Sequence, residues 1–348
     1  MNLLKLLLYP LATLYNGIMR VRNHLYDIGH KPTFHFETSI ISVGNLNVGG
    51  SGKTPMVEYL IHLLKDKYPT VTLSRGYKRM TSGYRVATSE DTAATIGDEP
   101  LQLLKKFERE VKVVVGEDRV FAIPNILQEF PDTRVILMDD GFQQRQIKAH
   151  LSILLTEWSR PFSDDFVLPF GRLREARQGA SRADIIVVTK CDESLRDEVR
   201  LEMTKRLQRY AGQKSVFFSC IHYGEPEALL SGNTFSGPVV IVTGIANAAP
   251  LRKYCENRFG VLHHFEFSDH HRYSQGDLRA IDQFCKSQHG GLSVITTEKD
   301  AVKLRVPEFE TYLMESPWFV LPIENQFLQD GPKFDALVLE TVNQPVTS

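Results

Sequence analysis

The chain has 348 residues, of which 42% are apolar and 24% charged, and a formal net charge of -1. That length and balance suit one large or two smaller globular domains, and the near-zero charge leaves no basic field for nucleic acid, which is not expected as a partner. Its four cysteines, Cys191, Cys220, Cys255 and Cys285, form no CxxC pair, which argues against a structural zinc site or a secreted disulfide framework and fits a reducing compartment.

The opening segment, residues 1–30, begins "MNLLKLLLYPLATLYNGIMRVRNHLYDIG". It is too polar after Met19 for a plain membrane span, Pro10 interrupts its most apolar part, and the small-residue cleavage site of a signal peptide is missing. Beyond Pro10, Leu11, Leu14, Ile18, Val21 and Leu25 recur every three or four residues, opposite a polar stripe of Thr13, Asn16, Arg20, Asn23 and Asp27. With Lys5, Arg20 and Arg22 as cations, this predicts a helix lying in a membrane interface. A helix packed on the protein's own core would show the same period.

Strands and helices then alternate. "TSIISV" (38–43) reads as a strand, followed by a glycine-rich loop and a helix from about Pro55 to Lys67. "TVTLS" (70–74), a helix over about Pro100–Phe107, "VKVVVG" (111–116), a helix near Arg119–Phe130, and "RVILMDD" (134–140) continue the series. "HLSILLT" (150–156) and "DIIVVTK" (184–190) look like further buried strands. Such β-branched runs between amphipathic helices predict a mostly parallel sheet with helices on both faces, of the phosphate-loop nucleotide-binding class, over residues 31–235. The stretch "YGEPEALLSGNTFSGP" (223–238) breaks the pattern. A second α/β series starts at "VVIVTGIA" (239–246) and runs through "VLHHFEF", a helix near Gln275–Ser287, "LSVITTEKD" and "WFVLPIE". A smaller α/β domain is therefore expected over 236–348.

The loop after the first strand reads "NVGGSGKTP". Gly49, Gly50 and Gly52 allow backbone N–H groups of residues 47–54 (Asn47, Val48, Gly49, Gly50, Ser51, Gly52, Lys53, Thr54) to curl round the phosphates of ATP, helped by the helix N-terminus. Lys53 would reach the β- and γ-phosphates, and the Thr54 hydroxyl would ligate Mg²⁺. Asn47 stands where the usual pattern has glycine, and asparagine's tolerance of left-handed angles is expected to preserve the turn. Asp139 and Asp140 end an apolar strand, where a phosphate-loop protein places its Mg²⁺ carboxylate; an isolated Asp-Asp-Gly would otherwise read as a turn. "VVTKCD" (187–192) has the [N/T]KxD form of a guanine site, which keeps a GTPase-type switch as the alternative from another functional class.

Seven segments carry a family resemblance: "ISVGNLNVGGSGKTP", "LSRGYKR", "GDEP", "MDDGFQ", "VLPFGRLRE", "FSDHHRY" and "TTEKDAVKL". Together they resemble the tetraacyldisaccharide 4′-kinases, the lipid A 4′-kinases of Gram-negative bacteria, from the N-terminal helix to about residue 305. The family's loop also lacks the first glycine. The resemblance implies transfer of the ATP γ-phosphate to the 4′-hydroxyl of a tetraacyl glucosamine disaccharide 1-phosphate, giving lipid IVA. It implies peripheral work at the cytoplasmic face of the inner membrane, with ATP and Mg²⁺ as cofactors; a monomer is expected.

A sugar hydroxyl is a weak nucleophile, so a positioned base is expected. Asp98, before the Pro100 helix, is the candidate, in agreement with the family pattern; a helix cap is its other reading. Glu99 is expected to bind Mg²⁺ or water. By resemblance, His270 of the second domain pairs with Asp98, so that catalysis depends on domain closure. The arginine forks of Arg172 and Arg174 suit phosphate oxygens, with Arg172 on the transferring phosphoryl group and Arg174, Glu175, Gln143 and Arg75 on substrate. Arg75 and Arg79 follow a strand end, where ligands of open α/β sheets gather. The family usually has histidine where this chain has Gln144.

Overall fold

The computed structural model describes residues 3–288 and 290–344, with side chains from Leu8 onward; the side chain of Lys5, expected as an interface cation, lies outside that range. Among the described residues nine strands form one sheet, in the order Ile323–Phe327, Ser215–Tyr223, Ile185–Thr189, Leu151–Glu157, Ser39–Asn45, Val135–Asp139, Thr70–Ser74, Lys112–Val115 and Arg85–Val86. Every pairing is parallel except those of the two edge strands. Ser39–Asn45, Val135–Asp139 and Ile185–Thr189 are buried along their whole length. Burial on both faces is why these strands read as continuous apolar runs rather than alternating ones. Helices Lys53–Leu64 and Asp98–Phe107 cover one face through Leu60, Ile61 and Leu104. Arg119–Glu129 and Asp197–Ala211 cover the other through Ile123, Ile126, Met203 and Leu207. The expected architecture, a large mostly parallel sheet between helices, is the one observed.

A second sheet runs Val261–Glu266, Val239–Thr243, Ser293–Thr297, Trp318–Leu321 and Glu227–Ala228, parallel but for its last strand. Its core gathers on helix Gln275–Ser287 through Leu278 and Ile281. The chain then returns to the first sheet. Ile323–Phe327 pairs antiparallel with Ser215–Tyr223, and Phe334, Val338 and Val342 of helix Gly331–Asn343 enter the first sheet's core. Residues 323–343 thus sit with the first sheet and not with the residues that precede them. Lys106 Nζ bridges Glu58 Oε2 (2.7 Å) and Glu298 Oε1 (2.9 Å), tying two helices of the first sheet to helix Glu298–Leu304 of the second.

The central position of Ser39–Asn45 sets where a ligand can bind. It is flanked by Val135–Asp139 and Leu151–Glu157, so its carboxyl end opens onto a crevice between neighbouring strand ends, where open α/β sheets hold ligands. Gly44 admits the turn that follows Val135–Asp139: a Cβ there would stand 2.6 Å from Phe142 Cβ and 2.8 Å from its backbone nitrogen.

The N-terminal helix spans Leu3–Asp27 and runs through Pro10 rather than starting beyond it. A proline there removes one backbone hydrogen bond, which the long helix tolerates. The apolar stripe does not pack on a core: Leu14, Ile18 and Val21 are 64%, 59% and 61% exposed. It is the polar side that docks. Tyr15 Oη donates to the Arg174 carbonyl (2.7 Å), Asn23 Nδ2 to Glu175 Oε2 (2.7 Å) and Arg22 Nη2 to the Gln143 carbonyl (3.2 Å). Tyr9 meets the Phe170 ring edge-on, and exposed Phe166 meets Phe170 in turn, which extends the apolar surface. Among the described residues no helix is long and apolar enough to cross a membrane.

Candidate active site

The loop between Ser39–Asn45 and Lys53–Leu64 closes on glycines: Gly49 and Gly52 have φ of 116° and 80°, the left-handed region that glycine enters freely. Asn47 does not have a positive φ, so the expectation that it serves by tolerating left-handed angles is corrected. Its side chain is the useful part. Asn47 Nδ2 donates to Asp165 Oδ2 (3.0 Å), its carbonyl accepts from Asn45 Nδ2 (2.7 Å), and the Val48 N–H donates to the Arg172 carbonyl (2.8 Å). The loop's first turn is tied to the segment 165–173 instead of being folded tightly on itself. On its far side Thr189 Oγ1 donates to the Ser51 carbonyl (2.9 Å) and Lys190 Nζ to the Gly50 carbonyl. Asp192 accepts from the Ser194 N–H (2.9 Å) and its hydroxyl. The "TKCD" segment therefore clasps the loop and closes its own turn.

Lys53 leads the helix, with Nζ 3.4 Å from Asn45 Oδ1 and 3.7 Å from Asp140 Oδ1. Asp140 is held by Arg174, whose Nη1 lies 2.8 Å from Oδ2 and 3.0 Å from Oδ1. Burial works to raise the Asp140 carboxyl, but Lys53 and Arg174 outweigh it and keep it below its ordinary value. Asp139 is different. Burial first, then Asp140 and Glu99, push its carboxyl up to about 6 against the pull of Lys53, and its Oδ1 has no hydrogen-bond partner among the described residues. A buried carboxylate with an orphaned oxygen beside a phosphate loop is what a divalent cation would neutralise. Glu99 is already paired with Lys299 Nζ (3.0 Å). Asp139 therefore fits Mg²⁺, and Thr54, beside Lys53 at the head of the helix, stays the expected hydroxyl for it, whereas Asp140 and Glu99, also expected there, have cationic partners of their own. Among the described residues no group of three or more His, Cys, Asp or Glu side chains is arranged to hold a metal ion by itself, so phosphate and water oxygens would have to complete such a shell.

Asp98 is the first residue of helix Asp98–Phe107, yet that helix has no side-chain cap. Its carboxylate instead meets His270: Nδ1 lies 2.9 Å from Asp98 Oδ2. His270 sits in the loop after Val261–Glu266, so the pair joins the two sheets across the cleft. Its backbone adopts φ 60°, with its N–H donating to the Gly244 carbonyl (3.2 Å); left-handed angles are rare for a side-chain-bearing residue and concentrate at functional sites. The Tyr77 ring flanks the imidazole at 5.4 Å. Burial works to raise Asp98, but the His270 hydrogen bond, then Lys303 and Lys299, hold it below its ordinary value.

This geometry has relatives. The family model described as tetraacyldisaccharide-1-P 4'-kinase matches residues 4–343. The chain belongs to that family. It is similar to the tetraacyldisaccharide 4'-kinase of Flavobacterium johnsoniae, with 39% identity over 99% of this chain and 99% of that one. It is also similar to that of Bacteroides fragilis strain YCH46, with 40% identity over 93% of this chain and 89% of the relative. Among solved structures, a crystal structure of LpxK from Aquifex aeolicus, an "apo" form in complex with ATP, superposes with a TM-score of 0.76 at 29% identity, covering 98% of this chain and 100% of that one. Membership of a kinase family, together with the loop-clasping role of Thr189 and Lys190, does not favour the guanine-switch alternative.

Around this cleft the remaining candidates divide. Arg174 lies in it, on Asp140 and on Gln143 Oε1 (3.0 Å). Gln143 Nε2 donates to the Asn45 carbonyl (2.8 Å), so both ends of its amide are taken by the protein. Glu175 is buried, its oxygens taken by Arg182 (2.8 Å) and Asn23; it anchors the N-terminal helix and is not placed to meet substrate. Arg172 and Arg75 are exposed at the rim, and Arg172 contributes through its carbonyl. Gln144 Nε2 reaches Gln146 (3.3 Å), outside the site. Three cations escaped the sequence reading. Arg119 is buried beneath the strand end, with Nη2 3.4 Å from the Asp139 carbonyl. Lys299 and Lys303 come from helix Glu298–Leu304; Lys303 Nζ stands 3.9 Å from Asp98 Oδ2. Both lysines fall in "TTEKDAVKL", a segment the resemblance had marked without assigning roles.

Proposed function

We propose that this chain transfers the γ-phosphate of ATP to the 4′-hydroxyl of a tetraacyl disaccharide 1-phosphate, giving lipid IVA in lipid A biosynthesis. The observation that carries the reading is the Asp98–His270 pair at 2.9 Å, held across a cleft that opens on the phosphate loop. The 4′-oxygen attacks the γ-phosphorus in line; its O–H bond breaks toward Asp98, the new P–O bond forms, and the bond to the β-γ bridging oxygen breaks to release ADP. Lys53 and the loop N–H groups neutralise charge on the phosphates, and Arg172 and Arg75 at the rim suit the substrate's own phosphate. Thr54 and Asp139 would hold Mg²⁺, which would supply further positive charge against the phosphates. Each of these residues comes from one chain, so a monomer suffices. The two sheets are read as two domains whose closure completes the site.

Radiolabelled ATP, with GTP in parallel, tests the reading against the tetraacyl disaccharide 1-phosphate in mixed micelles. Labelled lipid from ATP is expected. GTP hydrolysis without labelled lipid would overturn it in favour of a switch.

The exposed stripe Leu14, Ile18 and Val21, continued by Phe166, supports peripheral docking on the inner membrane's cytoplasmic face, which would let the site reach a four-chain lipid without extracting it. The double substitution Leu14→Glu, Ile18→Glu falls on exposed positions and should leave stability nearly unchanged. It is expected to abolish co-sedimentation with anionic phospholipid vesicles; undiminished binding would sink the docking reading.

A further inference from the structure

We infer that Lys299 fixes the tautomer of His270, making Nδ1–H the standing donor to Asp98, so that His270 orients the base and does not relay its proton. The inference deepens the kinase reading above and rests on it. An ammonium group has three donors and no acceptor. Lys299 Nζ has three partners: Glu99 Oε1 at 3.0 Å, Asp269 Oδ1 at 3.3 Å and His270 Nε2 at 3.2 Å. Toward an ammonium, Nε2 can act only as the acceptor. A neutral imidazole carries one proton, which must then sit on Nδ1, 2.9 Å from Asp98 Oδ2.

The surroundings show what Lys299 holds off. Glu99 Oε1 and Asp269 Oδ2 each lie 3.8 Å from Nε2, and carboxylates there would draw a proton onto that nitrogen. With the ammonium seated between them, their charge is met and Nε2 stays bare. Burial opposes the charge on Lys299, but Glu99 and Asp269 outweigh it and hold its titration above the ordinary value. The backbone of His270 is pinned at the same time by the Gly244 carbonyl (3.2 Å). A relay would need Nε2 to pass a proton outward, and that nitrogen is occupied. The proton taken from the 4′-hydroxyl thus stays on Asp98 until product leaves. Lys299 is a positioning residue, reaching the base only through His270.

Nitrogen–proton NMR correlation spectra of the ring-labelled full chain read the tautomer directly, beside steady-state kinetics on K299M and K299R. The wild type and K299R, which keeps a donor-only group, are expected to show the Nδ1–H form. K299M is expected to show an Nε2-protonated population and a kcat lower by about 10- to 100-fold, part of what a positioned base typically supplies, with the KM for ATP nearly unchanged. An Nε2–H ring in the wild type overturns the inference without any variant. So does K299M that keeps the Nδ1–H form, or that loses activity through a raised KM for ATP, the mark of a strap between the sheets. Failure of the kinase reading is separable: the wild type would then label no lipid, while its spectrum would still report the ring.

Discussion

Asp98→Asn is expected to lower kcat for lipid phosphorylation by about 10²–10⁴-fold, the range a positioned general base supplies, with little change in the KM for ATP. Asparagine keeps the shape and can still accept from His270 Nδ1, so the cleft stays assembled and only the basic oxygen is lost. The environment holds Asp98 ionised: burial opposes the charge, but His270, Lys303 and Lys299 prevail. Because its titration is depressed, this pairing stabilises the fold above the ordinary carboxylate range and is lost only as pH falls through the lowered value. A base that weak does not strip a sugar hydroxyl in the ground state. It suits a loose phosphoryl transfer, in which the proton leaves late and the main need is an aligned acceptor. Near wild-type labelling by the variant, with unchanged melting, would remove Asp98 from the chemistry.

The parts legible from sequence were those whose cause is local. Buried parallel strands such as Val135–Asp139 announce themselves as β-branched runs, and the loop Asn47–Thr54 is contiguous, so both could be read directly. The return of residues 323–343 to the first sheet could not. The strand Ile323–Phe327 is an edge strand with alternating burial, and nothing local says which sheet edge it will complete. The Asp98–His270 pair spans 172 residues in sequence; only the family resemblance brought it into view. The partners of Glu175 and Gln143 were hidden for a related reason: Asn23 of the N-terminal helix, which takes Glu175, and Asn45, which takes the Gln143 amide, lie far away in the chain. Arg119 follows the cap residue Asp118 and reads as a solvated cation at a helix start, yet folding buries it under Asp139. Asn47 was given the wrong physical role because a backbone explanation was sought where a side-chain bond to Asp165 decides.

Lys53→Ala is expected to cost about 10²–10³-fold in kcat, the scale of removing one preorganised group from a developing anionic charge. It should also leave a pH signature in stability. Asp139 titrates at about 6, raised mainly by burial and relieved in part by Lys53. Because the folded value lies above the unfolded one, ionising Asp139 costs stability as pH rises toward and through that value. Without Lys53 the cost grows. Asp140 adds an offset without a slope: its depressed titration gives stability that is fully present above the ordinary carboxylate range, and Lys53, only 3.7 Å away, is a main source of it, so that part of the deficit is the same at every pH above that range. The melting deficit of the variant should therefore be present near about pH 5 and become larger near about pH 8, the increase coming from Asp139. Thermal unfolding of both proteins across that interval checks it. A deficit that shrinks as pH rises would mean that Lys53 does not neutralise the Asp139–Asp140 pair, and its loss of activity would then have to come from the nucleotide phosphates alone.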